Sequence, residues 1–465
     1  MDQRRENAAQ QRRCLATCAW IVLAVPAVSA GDDGDAVAPA LRLGKRLYLE
    51  KRFTNPASNF AANCYACHRP EWAPEGRRAY SDALRYSLIP TDSFGNKRTT
   101  LRNAPSLMDV AGHVRFGHDG RFASLQEAIA AEFTSPHLGW LAEEREAALD
   151  EIHVVLLSDG GVDQIAEGTY IEQFKKVYDV DLTTMTRDQT VGWVVKCLAD
   201  YVASFNSTRT SAFDAFAAIN GLPLEPPEGI SAAAFGKSLL SRLSGERVQS
   251  HEAFGREAFE GLKIFLETSG KARTGNCVVC HTPPQFTDAS YYNTGVAQAE
   301  YDARHGVRAF AGLGIPTAST AQRPDKRFGP KLKDGKQVNA DLGYWNYVDA
   351  SDSESPRGNG AARLKTALGA FKAPTLRNLK YTDPYMHNGA YSTLEEAIAQ
   401  KVKACALAKA GALRSGDPAL AVMNITENDI GPLVAFLATL NDVSAEQFAA
   451  YRQETRPLAE ADENP

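Results

Sequence analysis

A mainly α-helical fold in two similar halves is predicted from three observations. The pentamer Cys64-Tyr65-Ala66-Cys67-His68 returns as Cys277-Val278-Val279-Cys280-His281. A second pattern follows each pentamer. Ala104-Pro105-Ser106-Leu107 with His118-Asp119-Gly120-Arg121-Phe122-Ala123-Ser124-Leu125-Gln126-Glu127-Ala128-Ile129 answers to Ala373-Pro374-Thr375-Leu376 with His387-Asn388-Gly389-Ala390-Tyr391-Ser392-Thr393-Leu394-Glu395-Glu396-Ala397-Ile398. Elsewhere apolar residues recur at helical spacing. In Cys-x-x-Cys-His the two thiols capture the vinyl groups of a haem and the His ligates its iron. The halves therefore read as two cytochrome c-like domains, each with one covalently bound haem c. A zinc site would want further paired Cys or His nearby, and a redox dithiol would want a βαβ context; neither stretch has one.

The chain has 465 residues and a net charge of −5, with no basic stripe interleaved with aromatics, so nucleic acid is not expected as a partner. Arg4, Arg5, Arg12 and Arg13 precede an apolar run from Cys14 to Ala27, and Val28-Ser29-Ala30 supplies small residues before a cut. Residues 1–30 thus have the layout of a secretory signal peptide. The run is shorter than the ~20 residues that span a bilayer, and no membrane span is expected after cleavage. Haem attachment by this motif takes place outside the cytoplasm, so signal and motif agree on a bacterial periplasm. Cys197 and Cys405 remain after the signal and haem cysteines are set aside; a disulfide and buried free thiols are both open to them.

In chain order, Leu41–Phe53 has helical apolar spacing and leads into the first pentamer. Pro70, Trp72 and Pro74 mark an irregular loop wrapping the haem. Ser124 with Glu127 three residues on is a capping box that starts a helix. Tyr170–Tyr178 and Asp188–Phe205 read as amphipathic helices, the second with Val191, Val194, Val195, Leu198, Tyr201 and Val202 on one side, and they close an N-terminal domain over 31–215. Pro223, Pro226 and Pro227 and a Ser-rich run place a linker or insertion at 216–250. Phe254–Leu266 is again helical and opens the C-terminal domain, 251–465. Residues 297–370 read as surface loops over the second haem, and Glu427–Leu440 as a final helix.

With these residues in order, the chain resembles the bacterial di-haem cytochrome c peroxidases and the related MauG enzymes. The resemblance runs from Leu43-Gly44-Lys45 through Arg102-Asn103-Ala104-Pro105, Ala212-Phe213-Asp214, Phe286-Thr287-Asp288 and Asn293-Thr294-Gly295-Val296. It continues in Phe371-Lys372-Ala373-Pro374-Thr375-Leu376-Arg377-Asn378 and Pro384-Tyr385-Met386-His387-Asn388-Gly389. It implies an N-terminal haem that reacts with hydrogen peroxide and a C-terminal haem that relays electrons from a small periplasmic cytochrome or cupredoxin; a homodimer is compatible with it. It also implies one calcium ion between the domains, matched by the Asn103 side chain and the backbone carbonyls of Thr382 and Pro384, with Asp383 adding negative charge; oxygen ligands suit this hard cation.

Several positions depart from the family. His118 stands where these peroxidases place a Trp between the haems; for His118 and His387 a structural role, holding a tight turn or a haem propionate, is expected. The family's distal carboxylate falls at Leu138, so His137 and Glu132 are the candidates to move a proton. No His or Met lies between His68 and Arg102, so the first haem is expected to have an open sixth position. On the second haem the family's far ligand, Met or Tyr, falls at Lys401, with Met423 as the alternative. Three functions compete: peroxide reduction, MauG-like oxidation of a partner protein, and a non-enzymatic two-haem electron carrier.

Overall fold

Each half closes by crossing its first long helix over its last, and a glycine sits at each crossing. The helix Pro39–Tyr48 packs on Arg187–Ala203 at Gly44, where a Cβ would lie 2.6 Å from Tyr201 Cβ. The helix Arg256–Leu266 packs on Ile430–Ala438 at Gly261, where a Cβ would lie 1.9 Å from the Pro432 carbonyl oxygen. Only a residue without a side chain lets two backbones approach this closely.

The computed structural model describes residues 39–441 except 73–75, 161–167, 245–247, 250, 319 and 350–359. The signal expected at 1–30 lies outside these residues. Residues 39–441 are mainly helical, with four two-stranded sheets among them. No described helix is long and apolar enough to cross a membrane.

Three hydrophobic clusters hold the chain. The first is built from Leu43, Leu47, Phe174, Val194 and Leu198 with their neighbours; Cys197 is buried in it. The second gathers Phe213, Phe216, Phe235, Leu262, Phe265, Phe286 and Phe436, and buries Cys405. Both thiols are free, in separate clusters, which excludes the disulfide; the Cys405 Sγ donates to the Met423 carbonyl at 2.9 Å. The third cluster corrects an expectation. Residues 297–370 are not simply surface loops: Phe310, Phe328, Leu342, Trp345 and Leu364 form a small core of their own, flanked by the helices Val296–His305 and Gly360–Ala367.

Two other segments differ from the sequence reading. Where an irregular loop was expected, Arg69–Trp72 pairs antiparallel with Gly76–Ser81; Pro74 lies outside the described residues. Segment 216–250 carries the helix Ala232–Leu243, whose Phe235, Leu239 and Leu243 are buried in the second cluster. The capping of Leu125–Glu132 is also slightly different: Ser124 accepts from Glu127 N, while the Glu127 carboxylate reaches Ala123 N.

The repeat is visible in the backbone. Asp109 and Asn378 are both left-handed and open 3₁₀ turns, Val110–Gly112 and Leu379–Tyr381. Isolated bridges follow, Phe116 with Phe122 and Tyr385 with Tyr391, then helices starting at Leu125 and Leu394 behind Ser124 and Thr393 caps. The two copies also meet in equivalent ways. Asn103 N donates to the His387 carbonyl at 3.0 Å, and Lys372 N donates to the His118 carbonyl at 2.9 Å.

Candidate active site

Asn63 caps the single helical turn Cys64–Cys67 by accepting from Ala66 N, and Cys277–Val279 forms a 3₁₀ turn. These turns hold Cys64, Cys67 and His68, and Cys277, Cys280 and His281, against one continuous cavity of about 1500 Å³. That exceeds the ~300–1,000 Å³ of an ordinary ligand pocket. Burial pushes the Cys64, Cys67 and Cys277 thiols up to about 12, so they are uncharged before any attachment. The His68 Nδ1 faces the carbonyls of Tyr80 at 3.3 Å and Pro105 at 3.1 Å, and the His281 Nδ1 faces that of Phe286 at 3.0 Å. A carbonyl oxygen only accepts, so each Nδ1 must carry the proton and each Nε2 keeps a lone pair for a metal. Burial lowers the pKa of both rings, His281 to about 4, which keeps them neutral. These residues fit a haem in each half, with His68 and His281 as iron ligands. In the first half the Ala-Pro has a reason: the Pro105 carbonyl aims His68.

The helix Leu125–Glu132 turns Leu125, Ala128, Ile129 and Glu132 toward the cavity. Pro136 ends any continuation of that helix, and the 3₁₀ turn Pro136–Leu138 brings His137 back. Its Nδ1 lies 2.7 Å from Glu132 Oε2, and the Ser135 hydroxyl donates to the same oxygen at 3.0 Å. Burial works to raise the Glu132 pKa, but the charge of His137 and the hydrogen bonds from His137 and Ser135 hold it at about 2. The charge of Glu132 raises His137, against burial. An ionised carboxylate beside an imidazolium therefore lines the first half's cavity wall, and Glu132 is close enough to influence His68, Cys64 and Cys67. Leu138 lines the same wall.

In the second half the equivalent helix, Leu394–Lys409, turns Leu394, Ala397, Ile398 and Lys401 toward the cavity. Met423 also lines it and is buried in the second cluster.

The same cavity is lined by His118 and His387, ring centroids 6.5 Å apart, with His387 stacked on Phe371 at 3.4 Å. The His118 Nε2 bonds to the Asn103 carbonyl at 3.0 Å. Burial and the nearby Arg102 lower both rings, so neither carries charge. Arg102 forms a two-pronged pair with Asp341, 2.8 Å at both contacts, and a second pair with Asp119. Asp341 belongs to the insert, which is thereby tied to Arg102 on the cavity wall.

The calcium expectation can be tested against side chains. The Asn103 Oδ1 is buried without a partner, while its Nδ2 donates to the Pro384 carbonyl at 2.5 Å. Rotating this amide, whose O and N are interchangeable in shape, would set two oxygens side by side, as a hard cation requires. Those oxygens fit. Asp383 does not contribute as expected, because Arg78 takes its carboxylate at 2.7 Å and also its carbonyl. No group of three or more His, Cys, Asp or Glu among the described residues could hold a metal on its own.

Residues 38–221 match a family model described as di-haem cytochrome c peroxidase. A cytochrome-c peroxidase, IdrP1 of Denitromonas iodatirespirans, is 24% identical over 425 residues, covering 90% of this chain and 85% of its own. The methylamine utilization protein MauG of Methylorubrum extorquens is 23% identical over 405 residues, 86% of this chain and 77% of its own. The crystal structure of the diheme peroxidase BthA from Burkholderia thailandensis E264 shares the fold, with a TM-score of 0.51 at 18% identity over 89% of this chain and 90% of that chain. Over residues 38–221 the chain matches the di-haem cytochrome c peroxidase family, and over most of its length it is similar to cytochrome-c peroxidases and to MauG.

Proposed function

We propose that this chain is an exported, periplasmic peroxidase that carries two covalent haems c, one in each half. It reduces hydrogen peroxide at the haem of Cys64, Cys67 and His68. Electrons enter from a small cytochrome or cupredoxin and pass the haem of Cys277, Cys280 and His281. The observation that carries this reading is the Glu132–His137 pair on the cavity wall shared with His68. A mere electron carrier has no use for a proton-moving pair beside its iron.

When bound, the haem supplies an open iron at which the O–O bond can be reduced and a path for two electrons. Hydrogen peroxide, two electrons and two protons become two waters, so protons must be placed as well as electrons. Glu132, held ionised, accepts a proton at its carboxylate and returns it to the departing oxygen. His137, kept protonated by Glu132, holds a second proton within reach. Ser135 fixes the carboxylate's orientation. One calcium ion between Asn103, Thr382 and Pro384 belongs to the same proposal.

Replacing Glu132 by Gln and His137 by Ala tests it, with peroxide reduction followed by stopped-flow using a reduced small cytochrome as donor. General acid–base help is worth ~10²–10⁴ in rate, and a loss of that order is expected for Glu132→Gln. If both variants match the parent, the proton comes from elsewhere. If the parent leaves the donor reduced and both irons are six-coordinate and low-spin, the electron-carrier reading replaces this one.

A further inference from the structure

The repeat assigns opposite chemistries to one position. Residues 104–132 and 373–401 align without a gap, so Lys401 occupies in the second half the place of Glu132 in the first. Both end a cavity-facing helical stripe of Leu, Ala and Ile. Glu132 is matched by His137 and Ser135. Lys401 has no ion-pair or hydrogen-bond partner for its Nζ among the described residues. Lys372, which also lines the cavity, does have one: it bonds to His113 and to the Arg115 carbonyl.

We propose that the Lys401 amine is the ligand of the second haem's iron on the side opposite His281. This rests on the reading that Cys277, Cys280 and His281 hold a haem. A partnerless ammonium facing an apolar cavity is costly. Shedding its proton removes that cost and leaves a lone pair that only a metal in this cavity can use. Burial already lowers the Lys401 pKa to about 8. Met423 has a sufficient reason to be where it is, because a thioether packs in an apolar core without a partner, and it does so among Leu420, Ile425 and Leu433.

The test uses the full-length exported protein, with haem content read first from intact mass. One haem per chain, with Cys277 and Cys280 unmodified, would overturn both this inference and the reading beneath it. With two haems present, low-temperature electron paramagnetic resonance and near-infrared magnetic circular dichroism identify the ligand class. The parent should show a low-spin ferric haem with two nitrogen ligands. Lys401→Ala should abolish that signal and give a high-spin iron, while Met423→Leu leaves it unchanged. Lys401→Met should restore a low-spin iron carrying the thioether charge-transfer band and raise its potential. A thioether band in the parent, or its low-spin signal lost in Met423→Leu and kept in Lys401→Ala, overturns the inference and leaves the two-haem reading standing.

Discussion

The two halves share a scaffold and differ in how long its second helix runs. Leu125–Glu132 stops at Pro136, whose ring cannot follow a helical residue, and the chain folds back to set His137 against Glu132. Leu394–Lys409 meets no proline and continues two turns past Lys401. One half therefore presents an acid and a base at the cavity wall, and the other a single amine on a rigid helix. Both aim the motif histidine through backbone carbonyls, Tyr80 and Pro105 for His68 and Phe286 for His281. On the proposed reading, the duplicated part would govern haem binding and the part that diverged would govern what the iron can do.

The sharpest way to break this comparison is to ask whether the halves bind haem independently. Cys280→Ala should abolish attachment of the second haem and leave the first in place, read as one haem per chain by intact mass. Loss of both, with the first half still folded, would mean that the repeat does not mark two separate sites.

The pH dependence sharpens the difference at the distal wall. Glu132 raises His137 above the ordinary imidazole value of about 6.5. Well below that value the ring is protonated with or without Glu132, so the proton supply is complete in either case. As pH rises, the parent keeps its proton until the raised value is passed, and only then should turnover fall. In Glu132→Gln the residual rate should fall at lower pH, because burial and Arg121 then lower the His137 pKa unopposed. A limb at the same pH in parent and variant would show that the pair does not set it.

What was legible in the sequence is the part written in local spacing. The pentamers, the repeat and the helices Tyr170–Tyr178 and Arg187–Ala203 all depend on residues a few positions apart. Glu132 and His137 were within reach of the same logic, since a carboxylate five residues before a His across a Ser-Pro turn is a local signal. The hairpin Arg69–Ser81 was hidden because Pro70 and Pro74 argue against strands; Pro70, second in its strand, falls in a two-stranded sheet, where every strand is an edge. The core of the insert was hidden for another reason. Phe310, Trp345 and Leu364 come from separated stretches with no shared period, so nothing in one window announces that they pack together. The Arg78–Asp383 pair joins residues far apart in sequence and leaves no local trace.

The smallest expected effect concerns the seam where the copies meet. Asn103 and Lys372 are equivalent in the repeat, and each side chain reaches the carbonyl of the residue equivalent to the other's target: Asn103 to Pro384, Lys372 to Arg115. One side of the seam therefore carries a built-in cation. The other carries a neutral amide with a buried, partnerless oxygen, and there a calcium ion would supply the missing charge. Binding of this kind adds about 2.7 kcal/mol when the ion is at 100 times its dissociation constant. Spread over a chain of this size, that is a few degrees in Tm. Chelation should lower the Tm of the parent by that amount, and added calcium should restore it. Asn103→Lys, which copies the other side, should melt at the same temperature with or without chelator, while Lys372→Met should be destabilised and still respond to calcium. If the parent ignores the chelator and no calcium is found by elemental analysis, the seam is held by Arg78, Asn103 and Lys372 alone.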